Sequence, residues 1–275
     1  MEDRQFGAFD GMPNEKYHAA PGVSKSHLDV IAGRSPRHYW QRYINPEREP
    51  EEPTPALLIG TAVHSAILEP DDFLSRYVES PRFDRRTNAG RAAAAEFEAD
   101  NAGKQVLGAD TMALCIAMRD AVHSHPVAAP LLRNGVAERS FVAPDPDTGE
   151  IIKCRTDWYA PDRGFILDLK TCEDASPVAF GKSCANYRYT LQPAWYQDVI
   201  EAATGEAPPY WAFLAIEKSP PYAIGIYTPT APQVAHGREV ARRDFERIVK
   251  HRRANWWPDY GEIVLPLDLP PWMKL

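Results

Sequence analysis

The first half of the chain has the apolar spacing of amphipathic helices. Within residues 111–124, Leu114, Met118 and Val122 recur every four positions, so they share one side of a helix. Residues 1–21 show no such period and are predicted to form an extended arm. The spacing predicts helices over residues 24–32, 35–43, 58–69, 89–102 and 111–124, with a loop rich in proline and glutamate over 45–55.

Near residue 136 the pattern changes to short apolar runs that are separated by turn residues. Strands are predicted over residues 138–142, 151–159, 165–171, 210–217 and 223–228, and helices over 176–185, 190–203 and 232–255. The first three strands form a meander, with turns over 145–149 and 159–164. We therefore predict an α/β protein with a single domain over 22–275. Its helical lobe covers 22–135, and its sheet and later helices cover 136–275.

The composition suits a globular protein. Hydrophobic residues make up 44% of the chain, and no apolar run approaches the ~20 residues that a membrane-spanning helix needs. The first residues lack the apolar segment of a signal peptide, so we expect a cytoplasmic protein with no membrane partner. The net charge of −7 argues against a protein that coats nucleic acid, although DNA binding needs only a local positive groove. The four cysteines contain no C-x-x-C spacing, which disfavours a zinc finger and predicts reduced, mostly buried thiols.

The clearest candidate chemistry lies on the two central predicted strands. Asp168 and Lys170 are two residues apart in an apolar run, so their side chains share one face of a strand. If the hairpin pairs Asp157 opposite Asp168, the two carboxylates face each other and can hold a hard cation such as Mg²⁺. The alternative is a surface hairpin with an ion pair between positions i and i+2. Glu138 begins the preceding strand and could reach the same metal, although such a residue more often caps an edge strand.

Two further motifs accompany these strands. Gln192 and Tyr196 are four residues apart on a predicted helix and project together. His64 lies on the otherwise apolar helix over 58–69, where the alternative to a metal ligand is a packed core histidine. The motifs follow one another in the order His64, Asp157, Asp168-x-Lys170 and Gln192-x-x-x-Tyr196, which resembles the RecB-like branch of the PD-(D/E)xK nuclease superfamily.

The resemblance extends to other segments. Residues 22–28, 81–91, 153–157 and 186–189 look like parts of the C-terminal nuclease domain of the RecE (exonuclease VIII) family, and the match covers roughly residues 20–260. It implies a restriction-endonuclease-like core, in which helices flank a central mixed sheet, with an N-terminal helical region. Some RecB-like nucleases hold an iron–sulfur cluster through one early cysteine and three closely grouped late ones, and no such late group exists here, since no cysteine follows Cys184.

The resemblance also implies roles for the candidate residues. Lys170 would orient the attacking water or stabilise charge on the phosphate. Mg²⁺ would be the cofactor, and Mn²⁺ would also work because it tolerates a nitrogen ligand. The implied metal ligands are His64, Asp157, Asp168 and the carbonyl of Leu169, and the implied catalytic residues are Asp157, Asp168, Lys170, Gln192 and Tyr196.

The implied activity is 5′→3′ exonuclease action on the ends of linear double-stranded DNA, as in phage-type recombination and repair. The products would be 3′ single strands for a RecT-like annealing partner, and the enzyme would be a ring-shaped tetramer. Arg85, Arg86 and Arg91 are expected to contact DNA phosphates, whereas the basic helix over 232–255 is better explained as a solvated face. A Cas4-like or helicase-associated RecB-type nuclease and an inactive scaffold that binds DNA ends remain as alternatives.

Overall fold

The computed structural model describes residues 6–49, 52, 54–261, 263–269 and 273. Its strands are β1 (Gly7–Phe9), β2 (Tyr77–Glu79), β3 (Gln105–Leu107), β4 (Val136–Pro144), β5 (Ile151–Ala160), β6 (Phe165–Cys172), β7 (Tyr210–Glu217) and β8 (Ile224–Tyr227). Its helices are α1 (Asn14–Ala19), α2 (Lys25–Gly33), α3 (Pro36–Tyr43), α4 (Pro55–Leu68), α5 (Pro70–Arg76), α6 (Asn88–Asp100), α7 (Ala109–Ser124), α8 (Ala128–Leu131), α9 (Pro177–Asn186), α10 (Leu191–Thr204) and α11 (Ala231–Ala254).

A six-stranded mixed sheet runs through the centre of the molecule in the order β1-β4-β5-β6-β7-β8. The pair β6–β7 is parallel, and the other neighbours in this sheet are antiparallel. The parallel pair is joined by a crossover through α9 and α10, as parallel strands require. The predicted meander is thus β4, β5 and β6, and a separate parallel pair, β2–β3, lies in the helical lobe.

The sheet is covered on both faces by apolar cores. Ile166 packs in the core that α2, α10 and α11 complete, whereas its neighbours Leu167 and Leu169 pack in the core of α4 and α7. Side chains of a strand alternate between the two faces, so Asp168 and Lys170 project on the Ile166 side. This arrangement confirms the predicted α/β fold, a central mixed sheet between layers of helices.

The expectation of an extended N-terminal arm is wrong for residues 6–21, and residues 1–5 lie outside the described part of the chain. β1 pairs with β4 through Gly7–Val142, and α1 follows it. The buried ammonium of Lys153 donates to the carbonyls of Tyr17, at 2.7 Å, and Ala20, so β5 holds the C-terminal end of α1. Both elements are too short to show a period of their own, and tertiary contacts fix them.

Within the described residues, none of the helices is both long enough and apolar enough to cross a membrane.

Candidate active site

The antiparallel ladder between β5 and β6 stops just before the predicted carboxylate pair. Its last pair is Trp158 with Leu167, one position short of Asp157 and Asp168. The carboxylate of Asp157 accepts a hydrogen bond from the backbone N–H of Leu169 at 2.7 Å. Asp157 and Asp168 therefore do not form a strand pair as expected, and the carboxylate of Asp157 instead bonds to the backbone of β6 where the two strands separate.

Asp168 and Lys170 form a buried ion pair on one side of this opening. Oδ2 of Asp168 lies 2.6 Å from Nζ of Lys170, and Oδ1 accepts a hydrogen bond from the side-chain amide of Gln192. Burial raises the pKa of Asp168 to about 6, against the opposing effect of the Lys170 charge. Burial alone would lower the pKa of Lys170, but the carboxylates of Asp168 and Asp157 outweigh it and raise that pKa. The lysine therefore stays charged.

A second group of side chains lies on the other side of the opening. His64, Glu138 and Asp157 each offer one ligand atom, and these atoms all lie within 4.8 Å of one another. Nδ1 of His64 is 3.8 Å from Oδ2 of Asp157. Burial, helped by the charge of Lys170, lowers the pKa of His64 to about 4, so the imidazole is neutral near pH 7. A neutral imidazole is the form that binds metal.

Glu138 occupies an unusual backbone position inside β4. Its φ of 51° is in the left-handed region, which costs a residue with a side chain about 1–2 kcal/mol. The recorded β4–β5 pairs skip Glu138 and Asp157, although the pairs on both sides keep one register. Local strain of this kind clusters at functional sites. Here it marks the same pair of positions that the metal-type ligands occupy.

The strands also exchange faces at this point. Cys154 and Trp158 are four positions apart on β5, an even spacing that would place both side chains on one face of a regular strand. Cys154 instead packs in the core of α10 and α11, and Trp158 packs in the core of α4 and α7. The distortion at Glu138 and Asp157 therefore lets side chains from both layers of helices reach one site.

The donor set of His64, Glu138 and Asp157 suits a divalent metal ion. Burial and the nearby charge of Asp157 raise the pKa of Glu138 to about 8, and burial raises the pKa of Asp157. The nearest cationic group recorded for Glu138 is Arg155, at 4.0 Å. Two carboxylates that destabilise each other's charge, together with a neutral imidazole, form a site that a divalent cation would stabilise.

The structure brings together most of the predicted site residues, and it adds Glu138. His64 and Asp157 share the metal-type group, whereas Asp168 uses its oxygens for Lys170 and Gln192. The side chain of Leu169 is buried in the α4–α7 core, and its carbonyl stays a predicted ligand. Sequence reasoning left Glu138 out of the ligand set because an acidic residue at a strand start usually has another explanation.

Tyr196 and Gln192 both face a large cleft that contains the site. The cleft has a volume of about 1710 Å³, and residues 11–15, 17 and 18 form part of its wall. The ring of Tyr196 packs edge-on against Trp211, with 5.5 Å between ring centroids, and burial raises its pKa. The phenol is therefore a neutral hydrogen-bonding group. The cationic side chains on the cleft wall include Lys25, Arg76, Arg155 and Lys170.

The arginines predicted to bind DNA lie elsewhere. Arg85, Arg86 and Arg91 are outside the lining of the cleft, on the exposed connection between β2 and α6 and on the first turn of α6. Arg86 pairs with Asp84 at 2.9 Å, and Arg85 pairs with Glu98 at 2.8 Å. The guanidinium of Arg91 bonds within the same segment. A role for these arginines on a DNA strand outside the cleft stays a prediction.

Comparison with known proteins gives two findings. The model of a family described as a PDDEXK-like domain of unknown function (DUF3799) matches residues 29–265. A solved structure from Eubacterium rectale, described as a putative exonuclease, has a similar fold, with a TM-score of 0.64 and 16% sequence identity over 94% of this chain and 96% of that chain. No curated protein sequence matches the chain.

Proposed function

Because the chain belongs to the PDDEXK-like family, we propose that it is a nuclease that hydrolyses phosphodiester bonds in DNA with a bound divalent metal ion, preferably Mg²⁺. The observation that carries this proposal is the convergence of two groups in one cleft. His64, Glu138 and Asp157 form a metal-type ligand set, and the buried pair of Asp168 and Lys170 lies beside it.

Each side chain then has a defined task. The metal ion supplies Lewis acidity to the phosphate and to a bound water when it occupies the site. His64, Glu138 and Asp157 would hold it, and Asp168 holds the ammonium of Lys170 in place. From there Lys170 donates a hydrogen bond to the attacking water or to a phosphate oxygen on which negative charge develops.

Two further residues support this geometry. Gln192 donates to the second oxygen of Asp168 and so fixes the plane of the carboxylate that holds Lys170. The neutral phenol of Tyr196 lines the cleft on the next turn of α10 and would position the substrate strand.

The finer proposal is a 5′→3′ exonuclease that acts on linear double-stranded DNA ends and leaves 3′ single strands for recombination. It rests on the motifs shared with the RecE family, and the exonuclease description of the Eubacterium rectale protein agrees with it. On the same basis we propose a RecT-like annealing partner, a homo-tetramer, a cytoplasmic location and activity with Mn²⁺ as well as Mg²⁺.

Digestion of linear duplexes that carry a label on either the 5′ or the 3′ end tests both levels of the proposal. We expect hydrolysis that requires Mg²⁺, that starts at 5′ ends and that leaves covalently closed circles intact. Cutting of closed circles would replace the exonuclease by an endonuclease. The nuclease proposal would be overturned if Mg²⁺ and Mn²⁺ both raise the Tm of the protein and yet the protein cuts no DNA with either ion.

A further inference from the structure

Three aromatic rings form a continuous stack beside the candidate active site. The stack begins at Phe213 in the core, which is 2% exposed, and continues to Tyr189 with a centroid distance of 6.0 Å and an interplanar angle of 29°. It ends at Tyr187, whose ring lies 5.5 Å from that of Tyr189 at an angle of 25°. Tyr187 is 62% exposed, so the outer face of the last ring points to solvent.

The backbone at the outer end of this stack is anchored by hydrogen bonds. Arg188, between the two tyrosines, has a φ of 54° and donates to the carbonyl of Leu28 at 3.1 Å and to the buried carboxylate of Asp244. The ammonium of Lys25 donates to the carbonyl of Tyr187 at 2.9 Å. A ring that is fixed before binding loses little conformational entropy when a ligand stacks on it. The left-handed turn at Arg188 would be a costly way to hold an unused surface tyrosine.

The stack also reaches the reactive group directly. The ring of Tyr189 lies 4.8 Å from Nζ of Lys170, and Tyr189 lines the cleft together with Lys170 and Gln192, whereas Tyr187 is outside the lining of the cleft. A ligand on the free face of Tyr187 would therefore lie two rings away from the lysine that acts on the phosphate. A flat aromatic group that stacks at this distance from the candidate active site could be a nucleobase of the substrate strand.

We propose that the free face of Tyr187 is a stacking site for one nucleobase next to the phosphate that is cut. This inference rests on the proposed nuclease function and deepens it, because it says how the chain positions a strand of any sequence. Every base has a π-face, so stacking tolerates all four bases. Tyr187 is then a positioning residue, since it touches the substrate without touching the reacting atoms.

A thermodynamic cycle between the protein and the DNA tests the proposal. Ca²⁺ replaces Mg²⁺ to bind DNA without turnover, and the Kd is measured by fluorescence anisotropy for DNA strands that carry one abasic site at successive positions near the end. We expect Tyr187→Ala to weaken binding of intact DNA about tenfold, as for the loss of one stacked base. At one abasic position the variant and the unmodified protein should bind equally, which is the signature of a coupled pair.

Matched variants separate stacking from other effects. Tyr187→Phe keeps the ring and should bind like the unmodified protein, whereas Tyr187→Leu keeps an apolar side chain and should behave like Tyr187→Ala. Tyr210 is 63% exposed and begins β7 five pairs away from the register position of Lys170, so Tyr210→Ala should change nothing.

The possible outcomes distinguish failure of the stacking site from failure of the proposed function. If Tyr187→Ala and the abasic sites act additively at every position while the protein still cuts DNA, the stacking site is wrong and the nuclease proposal stands. Should the unmodified protein neither bind nor cut DNA with any divalent ion, the proposed function itself fails. A loss of Tm in Tyr187→Ala that Tyr187→Phe reverses, with unchanged Kd for DNA in both, would assign the ring a structural role instead.

Discussion

The two charged groups at the centre of the molecule differ in how far the protein itself satisfies them. Oδ2 of Asp168 lies 2.6 Å from the ammonium of Lys170 in an ion pair but accepts no hydrogen bond from the described residues, and Oδ1 accepts a hydrogen bond from Gln192. On the other side, His64 and two carboxylates come within 4.8 Å of one another, with no lysine among them. Burial raises the pKa of both carboxylates, Glu138 and Asp157. One half is a close ion pair, and the other half is a set of metal-type ligands whose nearest cationic side chain, Arg155, lies 4.0 Å from Glu138.

This difference separates two tasks that a nuclease site must perform. In the proposed function, Asp168 fixes the position of the charged donor Lys170, and His64, Glu138 and Asp157 would hold the metal ion that activates water. Changes in the first half should thus affect turnover, whereas changes in the second should first affect metal affinity.

The largest effect on the rate of hydrolysis is expected from changes in the pair of Asp168 and Lys170. Lys170→Ala or Asp168→Ala should lower Mg²⁺-dependent hydrolysis at least ~10²-fold, because the donor that stabilises the phosphate charge is removed or released. Circular dichroism should show that the fold persists. Lys182→Ala, on the exposed part of α9, is the control and should retain full activity. Near-normal rates in a folded Lys170→Ala variant would contradict the assignment of this lysine.

Glu138→Gln should have the next largest effect, and on metal binding. Mg²⁺ or Mn²⁺ should raise the Tm of the unmodified protein, since a ligand of the folded state stabilises it. Glu138→Gln should lose most of this increase, and Asp168→Asn should lose less because the carboxylate of Asp168 is already paired with the ammonium of Lys170. A full metal-induced increase in Glu138→Gln would remove Glu138 from the ligand set and leave the set predicted from the sequence.

His64→Ala should weaken metal affinity by about tenfold, with partial rescue of activity at high Mn²⁺. The reason is the loss of a neutral nitrogen ligand that lies 3.8 Å from Asp157. Isothermal titration with Mn²⁺ measures this change. A variant that melts earlier but binds Mn²⁺ as tightly as before would show a packed core histidine instead.

Metal affinity should also rise with pH, by less than tenfold per pH unit. The pKa of Glu138 is raised to about 8, so below that pH its carboxyl carries a proton that the metal must displace. Raising the pH towards 8 removes this competition, and above 8 the affinity should level off. The slope should flatten in Glu138→Gln, which has no proton to lose. An identical pH dependence in both proteins would assign the proton to another group.

The smallest effect concerns the arginines outside the cleft. Arg86→Glu should raise the apparent KM for DNA a few-fold and reduce the salt dependence of binding, with unchanged metal affinity. The side chain of Arg86 is 91% exposed and pairs only with its neighbour Asp84 among the ion pairs recorded for it, so the fold should not depend on it. Normal DNA binding by Arg86→Glu would shift the phosphate contact to the cationic groups of the cleft wall.

Elements with a strong period of their own were predictable from the sequence. The strand β7 agrees with its predicted bounds because it is a continuous apolar run, and the long α11 agrees within one residue at each end because its apolar spacing extends over many positions. The spacing of two residues placed Asp168 and Lys170 on one strand face, where they form an ion pair, whereas the hydrogen bond from Gln192 to Asp168 depends on the packing of α10 against the sheet.

The features that remained hidden depend on tertiary structure. β1 exists because β4 offers it a partner, and α1 depends on the buried Lys153. Glu138 itself has a positive φ, and near it the side chains of β5 change from one face of the sheet to the other. The regular alternation of apolar and polar residues along a strand cannot reveal either feature. The apolar pattern of the sequence thus predicted the long strands of the central sheet, and it failed where β4 and β5 both depart from regular strand geometry.

The strained backbone at Glu138 has a consequence for how relatives of this chain could be sorted. Glycine adopts a positive φ without the steric cost that a side chain imposes, so replacing Glu138 by glycine would relax the strand while it removed the ligand. A gain in stability on Glu138→Gly would show that the glutamate is held at a cost to the fold. If Glu138 is a metal ligand as proposed, a relative with glycine here would keep the architecture without this ligand.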